Sequence, residues 1–140
     1  MKGSTVVYKR LSPNLIVDNV DETVTFYCDL LKFNLNMSVP AEAPFVWAAL
    51  VRDNVEVMIQ SRQSVSKIIP LFENKEAGGS LTLYIEMENI MELYDSIKTH
   101  VTLVEDLHTK PYGMIEFSFQ DNNGFVLTCA QQVAVTNDED

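Results

Sequence analysis

The segment Pro111–Gln131, PYGMIEFSFQDNNGFVLTCAQ, decides how the rest of the chain is read. Ile115, Phe117 and Phe119 alternate with Glu116, Ser118 and Gln120, the period-two pattern of a half-buried strand. Asp121-Asn122-Asn123-Gly124 supplies residues that tolerate positive φ, so the chain can turn back into a second alternating run through Phe125, Leu127 and Cys129. Val46–Gln60, VWAALVRDNVEVMIQ, has the same layout, with Asp53 answering to Asp121. A duplicated hairpin implies a duplicated chain.

Working outward, Leu11–Val17 reads as a strand with Leu11, Pro13, Leu15 and Val17 on one face and Ser12, Asn14 and Ile16 on the other. Asp18-Asn19 can cap the helix that follows, in which Val20, Val24, Tyr27 and Leu31 recur at helical spacing. Strands over Asn34–Val39, Phe45–Val51 and Val55–Ile59 complete a βαβββ module. After Gly78-Gly79, Leu81, Leu83, Ile85 and Met87 repeat the opening strand at a constant offset, so that Leu15 matches Leu83 and Val17 matches Ile85. Asn89 caps a second helix carrying Ile90, Leu93, Tyr94 and Ile97, and Val101–Leu107 leads into the closing hairpin. The fold class is therefore α+β: two paired βαβββ modules, residues 9–61 and 80–132, joined by a linker at 62–79 in which Pro70 limits helix growth. Each helix covers one face of a curved antiparallel sheet. The opposite faces, carrying Ser12, Asn14, Met58 and Gln60 in one module and Ser80, Tyr84, Glu116, Ser118 and Thr128 in the other, form a cup.

A length of 140 residues fits a single domain, and 46% hydrophobic with 21% charged residues is ordinary globular composition. Ten Lys and Arg against twenty Asp and Glu give a net charge of −10, which leaves no basic face for nucleic acid; the acidity reads first as solubility and otherwise as attraction for a cationic ligand. Residues 133–140 read as an acidic tail. No apolar run is long enough for a membrane span and Met1-Lys2-Gly3-Ser4 does not open a signal peptide, so a cytoplasmic protein is expected. Cys28 and Cys129 fall within apolar patterns and read as buried free thiols. No Ser-His-Asp or Cys-His arrangement, P-loop or GxGxxG fingerprint is present.

LIVDNVDETVTFYCDLLKF resembles the opening strand and helix of the vicinal oxygen chelate superfamily, the group of glyoxalase I, bleomycin-resistance proteins and extradiol dioxygenases. PYGMIEFSFQDNNGFVLTCAQ resembles that family's closing hairpin, and the similarity covers residues 9–132. The resemblance implies the glyoxalase/bleomycin-resistance fold. It also implies that a divalent metal, where this family has one, sits in the cup on the first and last strands of each module. Those positions fall on Ser12, Met58, Ser80 and Thr128, with Met58 free to slip to Glu56 or Gln60. Hydroxyls and a thioether are poor partners for such an ion, so no metal and no cofactor is expected.

Within the family, SLTLYIEMENIMELYDSI followed by PYGMIEF most resembles the bleomycin-resistance type. That type is metal-free and acidic, and its dimer sequesters a cationic glycopeptide. The resemblance therefore implies a metal-independent small-molecule binding protein acting as a homodimer, with no catalytic residues. The alternative it leaves is a glyoxalase-like lyase or isomerase, or a dioxygenase, with an atypical site around Glu116 and His108. Candidate ligand-binding residues are Glu116, Tyr84, Tyr112, Phe45, Trp47, Met58 and Ser118. Glu116 can serve as a general base, as an acceptor for an ammonium, or simply as a solvated glutamate. Strand parity puts Trp47 on the helix-facing side beside Ala49 and Val51, which competes with its role as a ligand platform. His100 lies at a helix end, and His108 in a loop that could overhang the cup.

Overall fold

A computed structural model describes residues 3–134. The first helix, α1 (Val20–Asp29), starts where the sequence places its cap: Asn19 is extended and its side chain accepts the Glu22 N–H at 3.0 Å. Asp21 and Glu22 add negative charge to the first turn, where the helix dipole favours it. Val20, Thr23 and Tyr27 turn inward. The linker holds a short helix, α2 (Arg62–Ser66), and a single 3₁₀ turn at Pro70–Phe72. The last helix, α3 (Ile90–Ile97), is capped differently from expectation. Asn89 is in the left-handed region and makes no side-chain cap, so the Ile90 N–H donates to Gln131 Oε1 at 2.8 Å instead.

Eight strands form two sheets of four. In the first, β1 (Asn14–Val17), β2 (Asn34–Val39), β3 (Trp47–Arg52) and β4 (Val55–Ser61) lie in the order β1-β4-β3-β2. In the second, β5 (Thr82–Glu86), β6 (Thr102–Thr109), β7 (Met114–Gln120) and β8 (Val126–Gln132) repeat it as β5-β8-β7-β6. The two βαβββ modules of the sequence are thus present. Each sheet is antiparallel except where its first strand joins its last: β1–β4 and β5–β8 run parallel. The opening strand is shorter than its alternation suggests: paired residues start at Asn14, Pro13 only accepts the Met58 N–H, and Leu11 is 92% exposed.

Strand register sorts the two faces of each sheet. Leu15 and Val17 pair with Ile59 and Ser61, while Ala48 and Leu50 pair with Ile59 and Val57, so the buried set faces α1. Trp47, Ala49 and Val51 pair with Gln60, Met58 and Glu56 on the other face. Trp47 therefore belongs to the cup, not to the helix-facing side. The reason is that the repeat is not residue-for-residue. By register Leu15, Ile59 and Ala48 answer to Leu83, Leu127 and Phe119, so the offset in β3 differs from that in β1 by an odd number of residues, which reverses parity along β3. The hairpin turns differ too. Arg52 pairs with Val55 across a two-residue turn that leaves the Asp53 side chain exposed, whereas Gln120 pairs with Val126 across five residues that fold Asp121 inward.

That inward fold joins the modules. Tyr27, wholly buried on α1, donates its hydroxyl to Asp121 Oδ2 at 2.8 Å, and Asp121 Oδ1 also accepts the Asn123 and Phe125 N–H groups. Asn123 Nδ2 donates to Thr23 Oγ1 at 2.9 Å, one turn earlier on the same helix. Gly78 lies against this turn with φ of +99°, and a Cβ there would stand 3.1 Å from the Asn123 carbonyl oxygen. One hydrophobic cluster runs from Leu15 and Tyr27 to Phe117 and Leu127, spanning both modules.

Burial and Asp121 raise the Tyr27 phenol far above its ordinary value of 10. A phenol raised in the folded state contributes stability that is complete below pH 10 and is lost as pH climbs past it, because only the unfolded chain then releases the proton. Tyr27→Phe should cost about 1–3 kcal/mol at neutral pH by leaving Asp121 short of a donor, and should make the alkaline loss of stability shallower than in the wild type. Urea denaturation across pH measures both.

Candidate functional site

Of the polar residues on the cup face of β7, Glu116 and Ser118 are buried and Gln120 is exposed. Glu116 lies between His108 on β6 and Ala130 on β8, and the small alanine leaves room above the sheet. On the neighbouring parallel strand Tyr84 pairs with Thr128, so its ring rises from the same face. Its hydroxyl donates to Glu116 Oε2 at 2.6 Å. A second tyrosine comes from the turn before β7. The Lys110 N–H bonds to the Met114 carbonyl and the Gly113 N–H to the Lys110 carbonyl, with Gly113 at φ +86°, so Tyr112 is carried back over its own strand. Tyr112 donates to Glu116 Oε1 at 2.9 Å. One carboxylate, 3% exposed, thus has each oxygen held by a phenol, while Tyr84 and Tyr112 remain 54% and 64% exposed.

The electrostatics follow from this sharing. The hydrogen bond to Glu116 is the main cause that pushes the Tyr84 phenol up to about 12, with desolvation and the charge of Glu116 adding to it. For Tyr112 burial comes first and the bond to Glu116 second, and its phenol is raised as well. Beside them Lys110 Nζ meets Glu105 Oε2 at 2.8 Å. That contact is the leading cause that lowers the Glu105 carboxyl and raises the Lys110 ammonium. His108 Nδ1 stands 2.9 Å from the Asp106 carbonyl oxygen, which can only accept, and its Nε2 lies 3.8 Å from Glu105 Oε2.

Of the residues expected from sequence, Glu116, Tyr84 and Tyr112 converge, and Ser118 sits next along β7 with its hydroxyl 2.8 Å from that of Thr128. Met58 and Trp47 are on the cup face of the other module. Phe45 packs partly buried against the core, with its backbone N–H donating to Asp21 Oδ1, so it joins neither group. His100 is exposed just past α3, where its N–H bonds to the Ile97 carbonyl. Glu105 and Lys110 could not be found by alternation. Register shifts in β6 between Leu103 and Glu105, and between Glu105 and His108, bring both Glu105 and His108 to the cup face and hide the period-two pattern. Cys129 is buried and its thiol is pushed up to about 12 by desolvation, while burial also raises Cys28, so both are poor nucleophiles.

The positions where the family carries metal ligands do not suit a divalent ion. Ser12 donates to Glu56 Oε1 at 2.6 Å, Asn14 donates to Gln60 Oε1 at 2.9 Å, and Ser118 and Thr128 pair with each other. Ser80 lies outside β5 and is exposed. Apart from Glu56, which Arg10 also approaches at 3.5 Å, these are neutral groups. Among the described residues no cluster of three or more His, Cys, Asp or Glu side chains could hold a metal.

Comparison with known proteins agrees with this architecture. Residues 9–128 match the Glyoxalase/Bleomycin resistance protein/Dioxygenase superfamily. The chain belongs to that superfamily. Solved structures with the same fold include a protein of unknown function from Agrobacterium tumefaciens, 20% identical with a TM-score of 0.74 over 92% of this chain and 98% of that one. TioX from Micromonospora sp. ML1 is 16% identical with a TM-score of 0.70, over 90% of this chain and 100% of that one. A superfamily member from Sphaerobacter thermophilus is 16% identical with a TM-score of 0.72, over 90% of this chain and 98% of that one. No curated protein sequence matches the chain. The superfamily hosts several chemistries on one fold, so the fold alone does not assign an activity.

Replacing Glu116 by Gln leaves one oxygen to accept where the carboxylate offers two and removes its charge, so two of the causes that raise both phenols are weakened. Tyrosine absorbance titrated against pH should then show Tyr84 ionising well below its wild-type value of about 12, and Tyr112 falling with it. An unchanged titration curve would mean that the two phenols do not share this carboxylate.

Proposed function

We propose that this member of the superfamily is a metal-independent small-molecule binding protein that takes its ligand on the cup face of its second module and works as a homodimer. The observation that carries the reading is the Tyr84–Glu116–Tyr112 arrangement: two half-exposed rings fixed in place by one buried carboxylate. Rings held this way are ready platforms for a planar or cationic ligand, since little side-chain freedom is left to lose on binding. Because both oxygens of Glu116 already accept hydrogen bonds, the arrangement supports holding a ligand better than abstracting a proton. Sequestration of a cationic antibiotic, as in the bleomycin-resistance type, is the finer form of the reading, and the net charge of −10 favours it. A cytoplasmic setting is part of the proposal. Its support is the pair of free cysteines and the lack, among the described residues, of a helix long and apolar enough to cross a membrane.

The homodimer has its own support. Met37 and Val39 on β2 are 59% and 51% exposed, and Val6, Val7, Tyr8 and Leu11 in the segment before β1 are more exposed still. A second copy of the chain would cover such surfaces. The alternative, a superfamily lyase, isomerase or dioxygenase, draws on the opposition of His108 to Glu116 across β6 and β7. It requires activity that depends on a bound metal.

Calorimetric titration of chelator-treated protein with bleomycin tests the proposal. Saturable submicromolar binding that weakens with salt is expected, and Glu116→Gln should cost about 1–3 kcal/mol of it. Absence of heat would demote sequestration, and a stoichiometric metal together with turnover would favour the enzyme. Light scattering should give twice the 15.8 kDa chain mass.

A further inference from the structure

We infer that the ligand of the cup presents a primary or secondary organic ammonium, and that Tyr84 and Tyr112 receive its N–H groups on their phenol oxygens while Glu116 supplies the charge from beneath. The inference rests on the binding reading given above and goes on to name the ligand's chemistry.

It comes from counting which hydrogen-bonding groups the site has left to offer. Each phenol has one proton and two lone pairs. Both protons are spent on Glu116, at 2.6 Å from Tyr84 and 2.9 Å from Tyr112. Glu116 is 3% exposed and both of its oxygens are engaged, so a ligand cannot easily meet the carboxylate itself. What faces the open cup is therefore the outer lone pair of two half-exposed phenols together with their ring faces. Ser118 and Thr128 satisfy each other along the strand. His108, with Nδ1 directed at the Asp106 carbonyl, leaves Nε2 as an acceptor when the ring is neutral.

The cationic donor nearby, Lys110, is 19% exposed and bound to Glu105, whose own side chain is 41% exposed. That pair cancels in charge and leaves Glu116, with the exposed Glu86 across Ala130 on the same face, as the negative charge of the cluster. The site is thus rich in acceptors, is net negative and presents aromatic rings. A ligand with acceptors only would leave those lone pairs unmatched, and an anion would meet like charge. An ammonium with N–H groups satisfies the lone pairs, the charge and the ring faces together. A quaternary ammonium satisfies the charge and the rings alone.

Three probes of similar shape separate these terms: 2-phenylethylammonium, its N,N,N-trimethyl analogue and neutral 2-phenylethanol. Binding to the wild-type protein is followed by NMR with the tyrosines labelled. The primary ammonium should bind about tenfold more tightly than either of the other two, the equivalent of one charge-assisted hydrogen bond. Tyr84→Phe and Tyr112→Phe should each erode that preference, with the alcohol affected little. Equal binding of all three probes in the cup would overturn the ammonium inference and leave the binding reading in place. Equal binding of the two cations above the alcohol would also overturn it, since charge and ring faces would then suffice. No binding of any of the three would count against both.

Discussion

The Tyr27 hydroxyl reaches an aspartate 94 residues further along the chain, and the geometry of the cup depends on that reach. Tyr27 belongs to the helix of one module and Asp121 to the hairpin turn of the other, so the bond fixes how the two sheets are set relative to each other. The turn is longer than its counterpart in the first module because it must fold a carboxylate inward, and its five residues let Asp121 collect two backbone donors besides the phenol. Burying a carboxylate is costly unless its oxygens are paired. Here the donors lower the Asp121 carboxyl, but desolvation outweighs them and leaves it raised. The first module has no such demand, and Asp53 at its turn faces solvent.

The same economy of donors shapes the candidate site. A second buried carboxylate, Glu116, is satisfied by two phenols, and what the sheet presents to the cup is the outer side of those phenols. Function on this face follows from which atoms remain free after the fold has satisfied its own polar groups. The cleft lined by Asp18, Arg62, Glu73, Lys75 and Asn123 runs along the linker, and Arg62 within it is already tied to Asp18 and to the Lys75 carbonyl. No cup-face residue lines it.

The helix of each module, the βαβββ order of the repeat and the shared face of Glu116 and Tyr84 were legible in the sequence, because apolar alternation and helical spacing report directly on burial, whereas the bonds that bring both phenols onto Glu116 were not. Trp47 was misplaced because the repeat offset changes by an odd number of residues between β1 and β3, and an odd change reverses the face of every side chain beyond it. Glu105 and Lys110 were missed for a related reason. The bulged β6 has no readable period, and Lys110 belongs to a turn whose direction is set by Gly113. Leu11 looked like a strand residue by alternation, but the ladder stops at Asn14 although β4 runs back to Val55, since Pro13 has no N–H to donate and only its carbonyl is engaged, by Met58. The Asn89 cap failed because Gln131, from the strand that β5 joins, already serves the first turn of α3.

The measurement that bears most directly on the account is a structure of the protein with 2-phenylethylammonium bound. The account predicts the ammonium nitrogen within hydrogen-bond distance of both the Tyr84 and Tyr112 phenol oxygens, with the two phenols still bonded to Glu116. An ammonium seated on Glu116 with the tyrosines displaced, or seated outside the cup altogether, would contradict it.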